Sequence, residues 1–256
     1  MDYQKILLVG GGGHCRSVLD SLLSAGGYDD IGIIDPRTSG GSAPMNIPVL
    51  GGDSDLPRLF AAGWTHAAVT LGSVGNPARR RTLYRMLKDI GFSLPVIADP
   101  SAVIGRETTL GEGVFIGKGA VVNSGGQIGP CVIINTGALV EHDCVVGAFA
   151  HIGPGGVLCG DVTLGEDVHV GANAVVRQSI RIGAGSLVGA GSVVVKDLAA
   201  DTQAFGNPCR PSLFPPTPPP PDERIRRFHP ILSALPCGIV RTSVIRNSPV
   251  EEGDAA

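Results

Sequence analysis

The stretch ALVEHDCVVGAFAHIG, residues 138–153, sets two histidines into a run of aliphatic residues and glycine. His142 lies between Glu141 and Asp143, and Cys144 follows. Histidine, with an unperturbed pKa near about 6.5, exchanges protons at neutral pH. A neighbouring carboxylate orients the ring and stabilises the imidazolium that forms when the ring takes a proton. His142 with Asp143 therefore has the composition of a general base and its orienting acid. Cys144 offers a thiol nucleophile as the alternative. His151 follows His142 by nine residues, and His169 follows His151 by eighteen.

These residues sit inside a repeat. From Val103 to Leu198 the chain divides into 16 consecutive hexads without an insertion. The second position is Ile, Leu or Val in all 16, and the third is glycine in 10. A fixed short period of this kind is the signature of a parallel β-helix. One aliphatic residue per hexad points inward, and the glycine is expected to let the chain turn a corner. Three hexads make one coil, stacked on the next at the strand spacing of about 4.8 Å. Nine residues are half a coil, so His142 and His151 are expected on different sides of the prism. His169 is expected one full coil above His151.

Ahead of the repeat the texture is α/β. QKILLVG (4–10), DIGIIDP (30–36) and HAAVTLG (66–72) read as buried strands. HCRSVLDSLLSAG (14–26), with Val18, Leu19, Leu22 and Leu23 on one side, and ARRRTLYRMLKDIGF (78–92) read as amphipathic helices. The alternation indicates a parallel, Rossmann-like sheet. GGGGH (10–14) joins the first strand to a helix, where glycines let the backbone approach a phosphate and the helix N-terminus favours negative charge. Arg16 stands where a G-x-G-x-x-G fingerprint has its last glycine, so the match to a dinucleotide site is incomplete. The expected organisation is an α/β domain over 1–98, a β-helix over 99–207, and a tail over 208–256 that holds 11 of the 20 prolines.

Net charge is −3, which provides no basic field for nucleic acid. No segment reaches the roughly 20 apolar residues of a membrane span. The opening MDYQKILLVGGGG lacks the pattern of a signal peptide, and the six cysteines lack paired metal-ligand spacing. A cytoplasmic protein with free thiols is expected.

The hexads together with ILLVGGGGH and IIDP resemble the sialic acid O-acetyltransferase and nucleotide-aminosugar N-acetyltransferase family, over about residues 4–211. The resemblance implies a left-handed coil, a homotrimer and acetyl-CoA as cosubstrate. The family's E-H-[DE]-C motif stands here as Glu141-His142-Asp143-Cys144 and makes His142, with Asp143, catalytic. The family's F-x-H segment maps His151 to acetyl-CoA, and its later hexads place the cosubstrate on backbone at Gly160, Ala172 and Ala190. FGNPCRP (205–211) resembles the family's closing segment, with Cys209 where alanine is usual. The three strand ends hold a nucleotide-linked sugar in that family, which maps to Gly12, Gly13, His14, Asp35, Pro36 and Gly72.

The expected activity is acetyl transfer from acetyl-CoA to the amino group of a nucleotide-linked amino sugar. O-acetylation of sialic acid or a related sugar is the alternative, and a non-catalytic scaffold is a third reading. Zinc carried by stacked histidines is disfavoured, because spacings of 9 and 18 do not resemble the set used by β-helix carbonic anhydrases.

Overall fold

The computed structural model describes residues 3–36 and 44–212. Of the tail expected over 208–256, residues 208–212 are described, with a strand at Arg210–Pro211, and the rest lies outside the described residues.

The first part is a four-stranded parallel sheet in the order β3-β2-β1-β4, made of β1 (Lys5–Val9), β2 (Asp30–Ile34), β3 (Val49–Gly51) and β4 (His66–Val69). Three of these strands are apolar runs visible in the sequence. β3 is not, because three residues ending in glycine carry no periodicity. A short helix, α2 (Leu56–Ala61), was also not legible. Helices α1 (Gly13–Ala25) and α3 (Ala78–Ile90) occupy the two periodic stretches. Alternation along β1 sends Ile6 and Leu8 toward α1 and Leu7 and Val9 toward α2 and α3. The inward face of α1 is Cys15, Val18, Leu19 and Leu22, whereas Leu23 is 49% exposed. Leu23 belongs to the solvent side, against the sequence expectation, because it falls one residue past the buried stripe.

The second part is a parallel β-helix of two-residue strands in three sheets. One face carries Ile97–Ala98, Phe115–Ile116, Ile133–Ile134, His151–Ile152, His169–Val170 and Leu187–Val188. The second carries Val103–Ile104, Val121–Val122, Leu139–Val140, Val157–Leu158, Val175–Val176 and Val193–Val194. The third carries Thr109–Leu110, Gln127–Ile128, Val145–Val146, Thr163–Leu164 and Arg181–Ile182. Pairing is in register at every step, as in Ile133 with His151 and His151 with His169. The second hexad position fills the coil with residues such as Ile116, Val140, Ile152 and Val176, each fully buried.

The corner is built differently from the sequence expectation. The left-handed backbone falls on the fifth hexad position, at residues such as Glu107, Cys131, Asp143, Asp161 and Asn173. The third-position glycines are needed for closeness instead: a Cβ on Gly147 would lie 2.5 Å from the Glu166 nitrogen of the next coil. Aspartate and asparagine tolerate the left-handed region better than other side-chain-bearing residues, which is why they share the fifth position with glycine.

The two parts are locked together. The outward column Ile97, Phe115 and Ile133 of the first face joins the core beneath α1. Arg80, 3% exposed, donates to the carbonyls of Phe149, at 3.1 Å, and of Cys131. Arg81 pairs with Asp167 at 2.9 Å and Glu166 at 2.7 Å, and Lys88 pairs with Glu112 at 2.8 Å. Buried Asp99 accepts from Ser21 at 2.6 Å, from the Ser101 amide at 3.0 Å and from Lys118 at 3.0 Å. These contacts hold the glycine loop of the first part at a fixed place over the first face of the coil.

Candidate active site

His142 occupies the corner between the second and third faces. Its Nδ1 lies 2.9 Å from Asp143 Oδ2. A carboxylate oxygen accepts, so Nδ1 carries a proton, and in the neutral ring the lone pair is on Nε2. Asp143 takes this pose from a left-handed backbone, φ 59°, with its amide bonded to the Ser124 carbonyl at 3.1 Å. The hydrogen bond to Asp143 raises the His142 pKa above its ordinary value; burial opposes it, and the charges of Asp143, Glu141 and Asp161 add to it. Glu141 accepts from Asn123 Nδ2 at 2.9 Å and from the His142 amide at 3.4 Å. Space is cleared by two glycines. A Cβ on Gly160 would sit 2.5 Å from His142 Nε2, and one on Gly125 would sit 2.7 Å from Asp143 Oδ1. The imidazole thus rests on Gly160, one coil above, with its basic nitrogen over that residue.

Cys144 is not placed for nucleophilic attack. It is 0% exposed inside the coil, and its thiol donates to the Cys159 carbonyl at 3.2 Å. Burial pushes its pKa up to about 11, so the thiolate is scarce at neutral pH.

The glycine loop lies at the N-terminus of α1, with Gly12 as its N-cap. Gly10 has φ +114° and is pressed against Leu71, so its glycine is structural. Gly12 and Gly13 have negative φ, and a Cβ on either would meet nothing within 4 Å. Neither packing nor backbone angle demands glycine there, and the open space faces the amides of a helix N-terminus. Asp35, 5% exposed, accepts from the Gly11 amide at 2.7 Å and so holds the loop. Pro36 lies against Gly52, and Gly72 lies against the His14 ring. Beside the loop a cavity of about 190 Å³ opens between α1 and the coil, lined by Arg16, Ser17, Phe115, Lys118 and Thr136 among others.

His151 is 9% exposed on the first face, beneath the loop that follows β4. Its Nδ1 is 2.9 Å from the Ser73 carbonyl and its Nε2 is 3.3 Å from Asn135 Nδ2. The His169 ring packs edge-on against it, with centroids 4.9 Å apart. Burial foremost, with the charge of Arg80 contributing, lowers all three histidines here, His14 and His169 to about 4. Ala172 and Ala190 stack at the corner between the first and second faces, where the Gly191 amide bonds the Ala172 carbonyl at 2.8 Å. Within one chain, then, His142, Asp143 and Gly160 are together, and His14, Gly72 and His151 are together. Ala172 and Ala190 line a corner different from that of His142. Sequence reasoning missed Asn123, Asn135 and Arg80. The two asparagines were visible as interruptions of the third-position glycine; Arg80, inside ARRR, carried no signal.

Residues 5–87 match the PglD N-terminal domain family and residues 92–182 the GMPPB C-terminal domain family. No curated protein sequence matches the chain. Perosamine N-acetyltransferase from Caulobacter crescentus, a variant solved with CoA and GDP-perosamine, is 38% identical, with a TM-score of 0.77 over 82% of this chain and 98% of that one. The acetyltransferase domain of PglB from Neisseria gonorrhoeae, solved with acetyl coenzyme A, is 33% identical over 82% of this chain and 100% of that one, with a TM-score of 0.77. WeeI from Acinetobacter baumannii is 26% identical with a TM-score of 0.71, over 82% of this chain and 100% of that one. With an α/β domain ahead of a hexapeptide coil and its E-H-D-C motif intact, the chain belongs to the left-handed β-helix sugar acetyltransferase family that includes these enzymes.

Proposed function

We propose that this chain transfers acetyl from acetyl-CoA to the amino group of a nucleotide-linked amino sugar, with His142 as general base. The observation that carries the reading is the His142–Asp143 pair, in which the carboxylate holds Nδ1, so that the neutral ring has its lone pair on Nε2. The amine nitrogen attacks the thioester carbonyl carbon while its proton passes to Nε2. The C–S bond then breaks, and the thiolate of CoA recovers that proton from the imidazolium. Asp143 stabilises the charged ring between the two transfers. No covalent enzyme intermediate is needed, in keeping with the buried Cys144.

The nucleotide-sugar is assigned to Gly12, Gly13, His14, Asp35, Pro36 and Gly72, with its phosphates at the α1 N-terminus and its sugar in the cavity beside Phe115. Acetyl-CoA is assigned to His151, Gly160, Ala172 and Ala190. These residues lie on two corners and one face of a single chain, so a complete site takes His142 with Gly160 from one subunit and the Ala172–Ala190 corner from another. A homotrimer with three shared sites fits this division, and exposed Val103 and Val145, each the first residue of its hexad, supply apolar surface for it. The cytoplasm is the compartment we propose for the reaction. Among the described residues no helix is long and apolar enough to cross a membrane. GDP-perosamine, the ligand of the Caulobacter enzyme, is the first acceptor to try.

The test follows thiol release from acetyl-CoA with a panel of GDP-, UDP- and dTDP-linked amino sugars. Turnover with one of them is expected, and His142→Ala should lower kcat by about 10²–10⁴ with little change in the KM for acetyl-CoA. Turnover of free sialic acid in place of every nucleotide sugar overturns the assignment.

A further inference from the structure

In the corner column of the first face, positions 117, 153, 171 and 189 are glycine, and 135 is asparagine. Closeness of the coils demands the glycines: a Cβ on Gly171 would lie 2.5 Å from the Ala190 nitrogen. The exception stands one coil before His151, after the strand that pairs with His151–Ile152, and its contacts have a single polarity. The Thr136 amide donates to Asn135 Oδ1 at 2.8 Å. An amide N–H only donates, so this bond fixes the orientation of the Asn135 side chain, with Nδ2 turned to His151 Nε2 at 3.3 Å. An NH₂ group also only donates, so Nε2 accepts. On the other side of the ring, Nδ1 lies 2.9 Å from the Ser73 carbonyl oxygen, which only accepts, so Nδ1 carries the proton.

We propose that Asn135 is a positioning residue that holds His151 as the neutral Nδ1–H tautomer and so ties the loop after β4 to the coil. Free histidine in water favours the opposite tautomer, so the placement must come from the three bonds. Among the described residues, the other charged or titratable groups against the ring are His14, His169 and Arg80, none of them acidic. Asn135 thereby occupies Nε2 of His151 and leaves Nδ1–H to Ser73, which fixes the loop that carries Gly72 against His14. This loop forms a wall of the nucleotide-sugar site, so the kinetic part of the proposal rests on the function proposed above. The tautomer does not.

The experiment is ¹⁵N–¹H correlation of the histidine rings in the full-length, isotope-labelled protein. The wild type should show His151 protonated at Nδ1 alone at pH 7. The nearly isosteric Asn135→Asp presents a carboxylate to Nε2, and the ring should become doubly protonated at the same pH. An Nε2–H tautomer in the wild type overturns the proposal without need of any variant, as does an unchanged His151 ring in folded Asn135→Asp. Asn135→Ala should raise the KM for the amino-sugar nucleotide turned over in the thiol-release assay about three- to tenfold, the weight of one hydrogen bond, and leave kcat within about threefold. An unchanged KM overturns the tie to the loop. Failure of acetyl transfer in every panel member counts against the proposed function and leaves the ring assignment standing.

Discussion

Gly160→Ala tests the placement of the base from outside it. A Cβ at this position would lie 2.5 Å from His142 Nε2 and 2.6 Å from its Cε1, while ordinary van der Waals contact begins near 3.4 Å. The ring must therefore shift by about 1 Å, and a misplacement of that size can cost about 10²-fold in rate. The side chain of His142 is 58% exposed, so the ring has room to swing away and the coil has no reason to unfold. Gly160 is absent from the left-handed positions, so alanine meets no backbone strain there. The melting temperature should stay within about 2 °C, the effect of a surface change of about 0.5 kcal/mol. Measured by thiol release, kcat should fall about 10²-fold. In a His142→Ala background the same change should do almost nothing, because the ring it displaces is gone. An equal loss in both backgrounds refutes the reasoning and assigns Gly160 to acetyl-CoA alone; activity within threefold of wild type in a folded protein refutes the steric premise.

Three further outcomes follow from the site and its supports. Asp143→Asn removes the leading cause of the raised His142 pKa; since the base acts deprotonated, the acid limb of kcat/KM should move to lower pH, and kcat should fall by less than in His142→Ala, as a pH–rate profile would show. Cys144→Ala should keep kcat within about threefold, since the thiol is buried and protonated; a loss of about 10²-fold would return it to the chemistry. Asp99→Ala should cost about 2–4 kcal/mol in denaturant unfolding. Burial works to raise the Asp99 pKa, but hydrogen bonds from Ser101, Ser21 and Lys118 overcome it and hold the folded value below the unfolded one of about 3.9. Its contribution is therefore present above that pH and fades as pH falls toward the folded value, so wild type and variant should converge in acid.

Much of this protein was legible in order of sequence. The hexad register is a strictly local rule, repeated from Val103 to Leu198, and it announced the coil, its inward residues and the pairing of His151 with His169. The His142–Asp143 pair was legible for the same reason: adjacent residues at a tight corner have little choice but to meet. What needed the tertiary structure was which side chains meet between coils and between domains. The third face keeps glycine at 111, 129, 147, 165 and 183, whereas the second face gives it up at 123, 141, 159 and 177, and the exceptions gather where the chemistry is. No window of sequence distinguishes the faces until the chain is wound in threes. The burial of His151 under Ser73, the insertion of Arg80 among the carbonyls of Cys131 and Phe149, and the seat of His142 on Gly160 are likewise contacts across 18 to 78 residues. Local spacing fixes which groups a corner can present. Which of them end up buried, neutral or charged depends on what packs over that corner, because desolvation and hydrogen bonding act through space and not along the chain.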